Sequence, residues 1–173
     1  ASCMVACGDA DGAVTGNTRR FGASLKKITQ VVKERSGEIM FGLNMVVHKG
    51  KTIFVGDTSV HEYPTSKQLS EIAISSARVV RLFGFDPKVA FVSHSTFGQP
   101  LTSITKHIKE SVDILKEKKV DFEFDGDMQP DVALNEEYKS LYPFSKIVGN
   151  ANILIMPGQH SAAISYKMMK TLG

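Results

Sequence analysis

Four stretches of the chain combine glycine with side chains able to hold an anion or a metal, or to move a proton. They are Gly56-Asp57-Thr58-Ser59, Ser93 to Pro100, Asp125-Gly126-Asp127 and Pro157-Gly158-Gln159-His160-Ser161. In the second, Ser93, Ser95 and Thr96 set three hydroxyls beside Gly98. Backbone N–H groups together with hydroxyls can cradle a phosphate or an acyl oxygen, though the same residues also cap helices. Spacing alone favours neither use. Asp125 and Asp127 can share a Mg2+ ion only if substrate oxygens complete its shell, so they are a weak metal signal. Asp9 and Asp11 pose the same question, with a turn role favoured. His94 and His160, the latter next to Ser161, fall on candidate loops without a Ser–His–Asp order or metal-ligand spacing, and are candidates for ligand contact only. His48, His61 and His107 have less support, and His107 belongs on a helix surface. The glycine fingerprints of dinucleotide and P-loop sites are absent.

The elements that must position these residues follow from periodicity. Asn17 to Arg35 has apolar residues at the three-four spacing of a one-faced helix. Ile39 to Val47 and Thr52 to Val55 are strand-like runs either side of His48-Lys49-Gly50-Lys51. Pro64 opens a long helix, and Lys88 to Val92 is an apolar run suited to a strand covered on both faces. Ile104 to Lys119 is helical with a solvated Lys/Glu face, and Phe122 and Phe124 mark another strand. Pro130 to Leu141 reads as a helix, Asn152 to Met156 as a strand and His160 to Leu172 as a closing helix. Strands alternating with helices predict an α/β fold: a three-layer α/β/α sandwich, its sheet mostly parallel, with one antiparallel strand. In such sheets ligands collect where strand carboxyl ends meet helix amino termini, and all four polar stretches fall at junctions of that kind.

A chain of 173 residues, 42% hydrophobic, suits one domain spanning 1–173. Its 21 basic and 18 acidic residues leave a formal charge of +3 and no basic–aromatic tract, which argues against a nucleic-acid partner. No apolar run is long enough to span a bilayer, and no secretory signal is visible. Cys3 and Cys7 are too few for a disulfide framework, and their spacing predicts two buried residues on one helix face. Reduced thiols and no export signal point to the cytoplasm.

The motif Gly8-Asp9-Ala10-Asp11-Gly12-Ala13-Val14-Thr15-Gly16 resembles the signature of the phosphate acetyl/butyryltransferase (phosphotransacetylase) family. The resemblance continues through Asp57-Thr58-Ser59-Val60, Pro64 to Ala73, and Pro87 to Ala90 with Ser93-His94-Ser95. It then runs through Asp125 to Gln129 with Asp131, Gly149 to Asn152, and Ile164 to Lys167. Within the family, the chain is most similar to the carboxyl-terminal region of long bacterial NADP-dependent malic enzymes. Thr18-Arg19-Arg20, Ser93 to Gly98, Ala133-Leu134-Asn135, Tyr142-Pro143-Phe144 and Met156 to Ala162 carry that likeness. Active phosphotransacetylases share a Gly/Ser/Thr-rich stretch after the third strand and an Asn-centred turn after the last. Here those places hold Phe97-Gly98-Gln99-Pro100 and Gln159 to Ala163, which counts against transferase activity.

The resemblance implies the second lobe of a two-lobed phosphotransacetylase-like region, of the kind also found in isocitrate and isopropylmalate dehydrogenases. The phosphate-gripping arginines then belong to the other lobe, and no catalytic residue can be numbered in this chain. Ser93, Ser95, Thr96, Gly98, Asp125, Asp127, His160 and Ser161 become the candidate contacts for an acyl-CoA or a phosphate. The implied role is a regulatory, oligomer-forming module that senses acetyl-CoA, with phosphate acetyltransferase as the alternative. NADP and Mg2+ or Mn2+ would serve the malate-oxidising part, with no cofactor or metal in this lobe. A homodimer or higher homo-oligomer is expected. Pairing through Ile72 to Phe83 would suit it, although that pattern also serves a plain core.

Overall fold

The structure is a computed structural model describing residues 1–16, 18–98 and 100–172. Asn17, the expected start of the first long helix, and Gln99 of the Ser93–Pro100 stretch lie outside the described residues. The chain forms two compact units, Ala1–Glu38 and Ile39–Gly173.

The first unit holds α1 (Ser2–Cys7) and α2 (Phe21–Val31). Cys3 and Cys7 do share α1, but both are exposed, so the expected burial is wrong. Helix α2 is shorter than predicted, because Val32 is already extended.

The second unit runs β1 (Leu43–His48), β2 (Lys51–Gly56), α3 (Ser66–Leu82), β3 (Lys88–Val92), α4 (Ser103–Lys118) and β4 (Glu123–Met128). It continues with α5 (Pro130–Leu134), α6 (Glu136–Lys139), β5 (Ile153–Ile155) and α7 (Gln159–Leu172). The sheet order is β1-β2-β5-β3-β4, with β1 antiparallel to β2 and the other pairs parallel. The β1–β2 connection is Lys49-Gly50, both at positive φ, the geometry of a tight hairpin.

Alternation along the strands builds two cores, one per face. Phe54, Val89, Phe91, Ile153 and Ile155 pack against Leu69, Ile72 and Val80 of α3 and Ile108, Val112 and Leu115 of α4. Val55, Ala90, Val92, Leu154 and Met128 face Val132 and Ala133 of α5 and Ala162 of α7. The three expected layers are therefore present. Ile72, Ala73, Ala77 and Val80 are all buried, so most of the helical stretch suited to pairing is core.

Several boundaries differ from expectation for local reasons. Residues 39–42 leave the ladder because the Gly42 N–H turns to the Asp57 carboxylate, 2.7 Å away. Pro64 precedes α3, whose cap is Thr65 in a reciprocal box with Gln68. The segment Pro130 to Leu141 divides at extended Asn135, whose side chain caps α6. Among the described residues no helix is long and apolar enough to cross a membrane.

One buried cation stands outside these patterns. Lys139 is 7% exposed, and its ammonium has no hydrogen-bond partner among the described residues. Burial pulls its pKa below the ordinary 10.5; Glu136 opposes the shift, Lys88 adds to it and Glu123 again opposes it. The unfolded chain therefore holds this proton more tightly than the folded chain. The penalty is full below the folded value and fades as pH rises toward 10.5. Lys139→Met is expected to stabilise the fold by about 1–2 kcal/mol at neutral pH. Urea unfolding should show that gain shrinking in alkaline buffer.

Candidate functional site

Parallel β2, β5, β3 and β4 end on one edge of the sheet, and the four polar stretches gather there. Buried carboxylates fasten two of the turns. At the end of β2, Asp57 is 1% exposed. Its Oδ1 accepts the N–H groups of Gly42, Ser59 and Val60 at 2.7, 2.9 and 3.1 Å. Its Oδ2 accepts the His61 N–H at 2.8 Å and the His61 Nδ1–H at 2.7 Å.

Asp127 does the same for the turn after β3. Its Oδ1 accepts the Gly98 N–H at 2.8 Å, and Oδ2 accepts the hydroxyl of fully buried Ser95. Its backbone carbonyl accepts the Phe97 N–H at 2.7 Å. Phe97 takes a left-handed φ of 51° there. Its ring meets Tyr142 and Phe144 at centroid distances of 5.5 and 4.8 Å. Ser93 and Thr96 are also buried; the Thr96 hydroxyl accepts the Gln129 N–H at 3.3 Å.

Asp125 and Asp127 lie inside strand β4, not on a junction loop as expected. Asp125 pairs in register with Ala90, and its carboxylate accepts the N–H groups of Gly126 and Lys146 at 3.0 and 2.8 Å. Among the described residues no group of three or more His, Cys, Asp or Glu is placed to hold a metal.

Two grooves open along this edge, and the candidate residues divide between them. The larger, about 460 Å3, lies among the β2–α3 loop, the amino end of α4 and the β5–α7 junction. Pro64, Ile104, Pro157 and Gly158 give it apolar walls, while Thr65, Ser103, His107, His160 and Ser161 supply polar atoms. The amino termini of α3, α4 and α7 all reach it, and the positive ends of their helix dipoles favour the negative end of a ligand. Gly158 is tightly placed: a Cβ there would stand 2.5 Å from the Glu62 carbonyl oxygen. The second groove, about 390 Å3, is lined by Phe97, Gly98, Leu101, Lys109, Lys116 and Asp125 to Asp127. Ser95, Gly98 and Asp127 are thus one network, whereas His160 and Ser161 belong to the other groove.

Among the described residues His160 and Ser161 make no hydrogen bond to each other, and each has another partner. The Ser161 hydroxyl donates to the Gly158 carbonyl at 2.8 Å, and exposed His160 meets Glu62 at 3.1 Å. Three residues gain an importance that their types and spacing did not reveal. Asp57 and His61 hold the β2–α3 loop. His107, expected on a helix surface, is half-buried, with Nε2–H donating to the Pro64 carbonyl at 2.7 Å and Nδ1 2.8 Å from the Ser66 hydroxyl. The Ser66 hydroxyl also reaches Glu110 at 2.9 Å, so the starts of α3 and α4 are tied together beside the larger groove.

Comparison with known proteins places this architecture. The family model described as Phosphate acetyl/butaryl transferase matches residues 1–173. The chain is 43% identical over 173 residues to an NADP-dependent malic enzyme of Rhizobium meliloti (strain 1021), covering 100% of this chain and 23% of that protein. It is 30% identical over 172 residues to a phosphate acetyltransferase of Buchnera aphidicola subsp. Schizaphis graminum, covering 98% of this chain and 24% of that protein. The solved EutD phosphotransacetylase from Staphylococcus aureus superposes with a TM-score of 0.89 at 29% identity, over 99% of this chain and 54% of that one. The chain thus spans about a quarter of the curated relatives and about half of the solved structure. A family match over residues 1–173, with close superposition on a solved phosphotransacetylase, means that the chain belongs to the phosphate acetyl/butaryl transferase family.

Proposed function

We propose that this chain is the phosphotransacetylase-like region of an NADP-dependent malic enzyme, and that it binds acetyl-CoA as a regulatory signal without transferring the acetyl group. One observation carries the non-catalytic part: the chemical groups of the sheet edge are already engaged by the protein itself. Asp57, Asp125 and Asp127 accept hydrogen bonds from their own chain, and the hydroxyls of Ser95 and Ser161 donate within it. The larger groove suits an acyl or pantetheine chain along its apolar walls, with the thioester oxygen turned to the helix amino termini.

In this reading, malate oxidation with NADP and Mg2+ or Mn2+ is performed by other parts of a longer enzyme, and this region also takes part in homo-oligomer formation. The likeness to malic enzymes at 43% identity supports it. Acetyl-CoA titrated into the full enzyme should lower the rate of malate oxidation. Ile104→Glu, which puts a charge on the apolar wall, should raise the acetyl-CoA concentration required by about tenfold. A rate that never responds to acetyl-CoA would sink the proposal.

The second reading is a phosphate acetyltransferase moving acetyl between CoA and phosphate. The close superposition on a phosphotransacetylase favours it. Formation of acetyl-CoA from acetyl phosphate by the two-lobed protein would decide for it.

A further inference from the structure

We propose that Ser66 is a nucleophile with His107 as its base, and that it takes the acyl group of a small uncharged carboxylic ester and passes it to water. The inference goes beyond the reading above and does not rest on it. Ser66 is the first residue of α3, and His107 stands near the start of α4, 41 residues later; the packing of the two helices brings them together. The Ser66 Oγ is 2.8 Å from His107 Nδ1, and His107 Nε2 is 2.7 Å from the Pro64 carbonyl oxygen. A carbonyl oxygen only accepts, so the ring proton of the neutral imidazole belongs on Nε2. Nδ1 is then a bare lone pair within reach of a hydroxyl. A hydroxyl, a ring and an acceptor that orients the ring are the parts of an activated serine.

Two further features separate this arrangement from a plain tie between helices. The single Ser66 hydroxyl proton has two acceptors, because Glu110 Oε2 stands 2.9 Å from the same oxygen. One proton serves one of them at a time, so the other stays beside the oxygen as a base. The oxygen also stands at the amino end of a helix. Thr65 caps the Gln68 N–H, while the N–H groups of Ser66 and Lys67 have no intrahelical acceptor. They are left to meet the oxyanion of a tetrahedral intermediate.

Exposure and charge set the substrate class. Ser66 is half-buried, whereas Thr65, Lys67 and Glu110 are exposed, so a small molecule reaches the hydroxyl from solvent. Thr65 and His107 line the larger groove but Ser66 does not, so a thioester held in that groove is not presented to this oxygen. The Glu110 carboxylate beside the hydroxyl repels anionic acyl donors, which leaves uncharged esters. In the first step Oγ bonds to the ester carbonyl carbon and its proton passes to His107 Nδ1. The bond from that carbon to the alcohol oxygen then breaks, and the alcohol leaves with the proton. Water attacks the resulting ester of Ser66, gives one proton through His107 back to Oγ, and the carboxylic acid departs.

The probe is p-nitrophenyl acetate. Cys3 and Cys7 are exposed and would react with it on their own, so the whole chain is used with Cys3→Ser and Cys7→Ser. A first equivalent of p-nitrophenolate should appear rapidly, with an acetyl group on Ser66 by peptide mass spectrometry, followed by slow turnover. Ser66→Ala should abolish the burst. His107→Gln, whose amide can still donate to Pro64, should slow acylation about 100-fold with the circular dichroism unchanged. A purely structural His107 would leave that rate alone. The labelled position in the parent chain is read without any change at the site, so a variant that fails to fold cannot hide the answer. Acetyl groups on lysines but not on Ser66 overturn the proposal. So does a burst that survives Ser66→Ala, or an acylation rate indifferent to His107→Gln. None of these results bears on regulation by acetyl-CoA, which the malate-oxidation rate of the full enzyme reads separately.

Discussion

Gly126→Ala should cost the fold about 3–5 kcal/mol and lower the thermal midpoint by roughly 10 °C or more. A Cβ at this position would stand 2.7 Å from the Phe91 carbonyl oxygen and 2.8 Å from the Phe91 Cβ. Both atoms belong to β3, which is held by β4 on one side and β5 on the other. A flexible side chain could swing away from the new methyl group; this strand backbone cannot. Gly126 also sits at φ +148°, which L side chains rarely adopt, so strain adds to the clash. Gly50→Ala is the control, since Gly50 has positive φ but open space around its missing Cβ. It should cost only about 1 kcal/mol. Urea unfolding of both variants separates the two contributions, and equal losses would show that the approach to Phe91 is looser than described.

The same glycine shows why the sequence misreads its surroundings. Asp-Gly-Asp looks like a turn, because all three residues are poor strand formers. It is in fact a strand, because its carboxylates find donors on distant segments: Gly98 for Asp127 and Lys146 for Asp125. Local spacing cannot register a partner that arrives from across the fold. Where burial alone decides structure, the reading is close. Strand β3 runs from Lys88 to Val92 as expected, since a run covered on both faces needs no partner identity to be recognised. The antiparallel hairpin and the long helices follow for similar reasons.

The candidate site is legible to a lesser degree. All four polar stretches do reach one edge of the sheet, as the α/β pattern requires. What the spacing could not show is their division into two grooves, or which residues hold them open. His107 has the neighbours of a solvated helix face, yet Pro64 and Ser66 close over it from α3 and the loop before it. Its role comes from the packing of α3 against α4, which no local pattern encodes.

Substituting Asp57 should loosen that edge more than any other polar replacement there, and two variants separate the causes. Asp57→Ala removes the acceptor for five hydrogen bonds, four from backbone N–H groups and one from the His61 ring. The donors cannot follow the missing carboxylate, and those left dry carry a desolvation penalty; the expected loss is about 3–5 kcal/mol. Asp57→Asn keeps the shape and one oxygen. Placed at the Oδ1 position, that oxygen still receives Gly42, Ser59 and Val60, while the amide N–H2 faces His61. The ring can answer by presenting Nδ1 as an acceptor, so only the His61 backbone N–H is left opposed. The loss should fall to about 1–3 kcal/mol, and the His61 ring should change tautomer in NMR spectra. The loop that Asp57 fastens leads directly into Glu62 to Thr65, one wall of the larger groove. The alanine variant should therefore weaken acetyl-CoA binding before it unfolds the sheet, which calorimetry at low temperature can separate from global stability. Equal losses for the two variants would mean that charge, and not the number of accepted hydrogen bonds, is what Asp57 contributes.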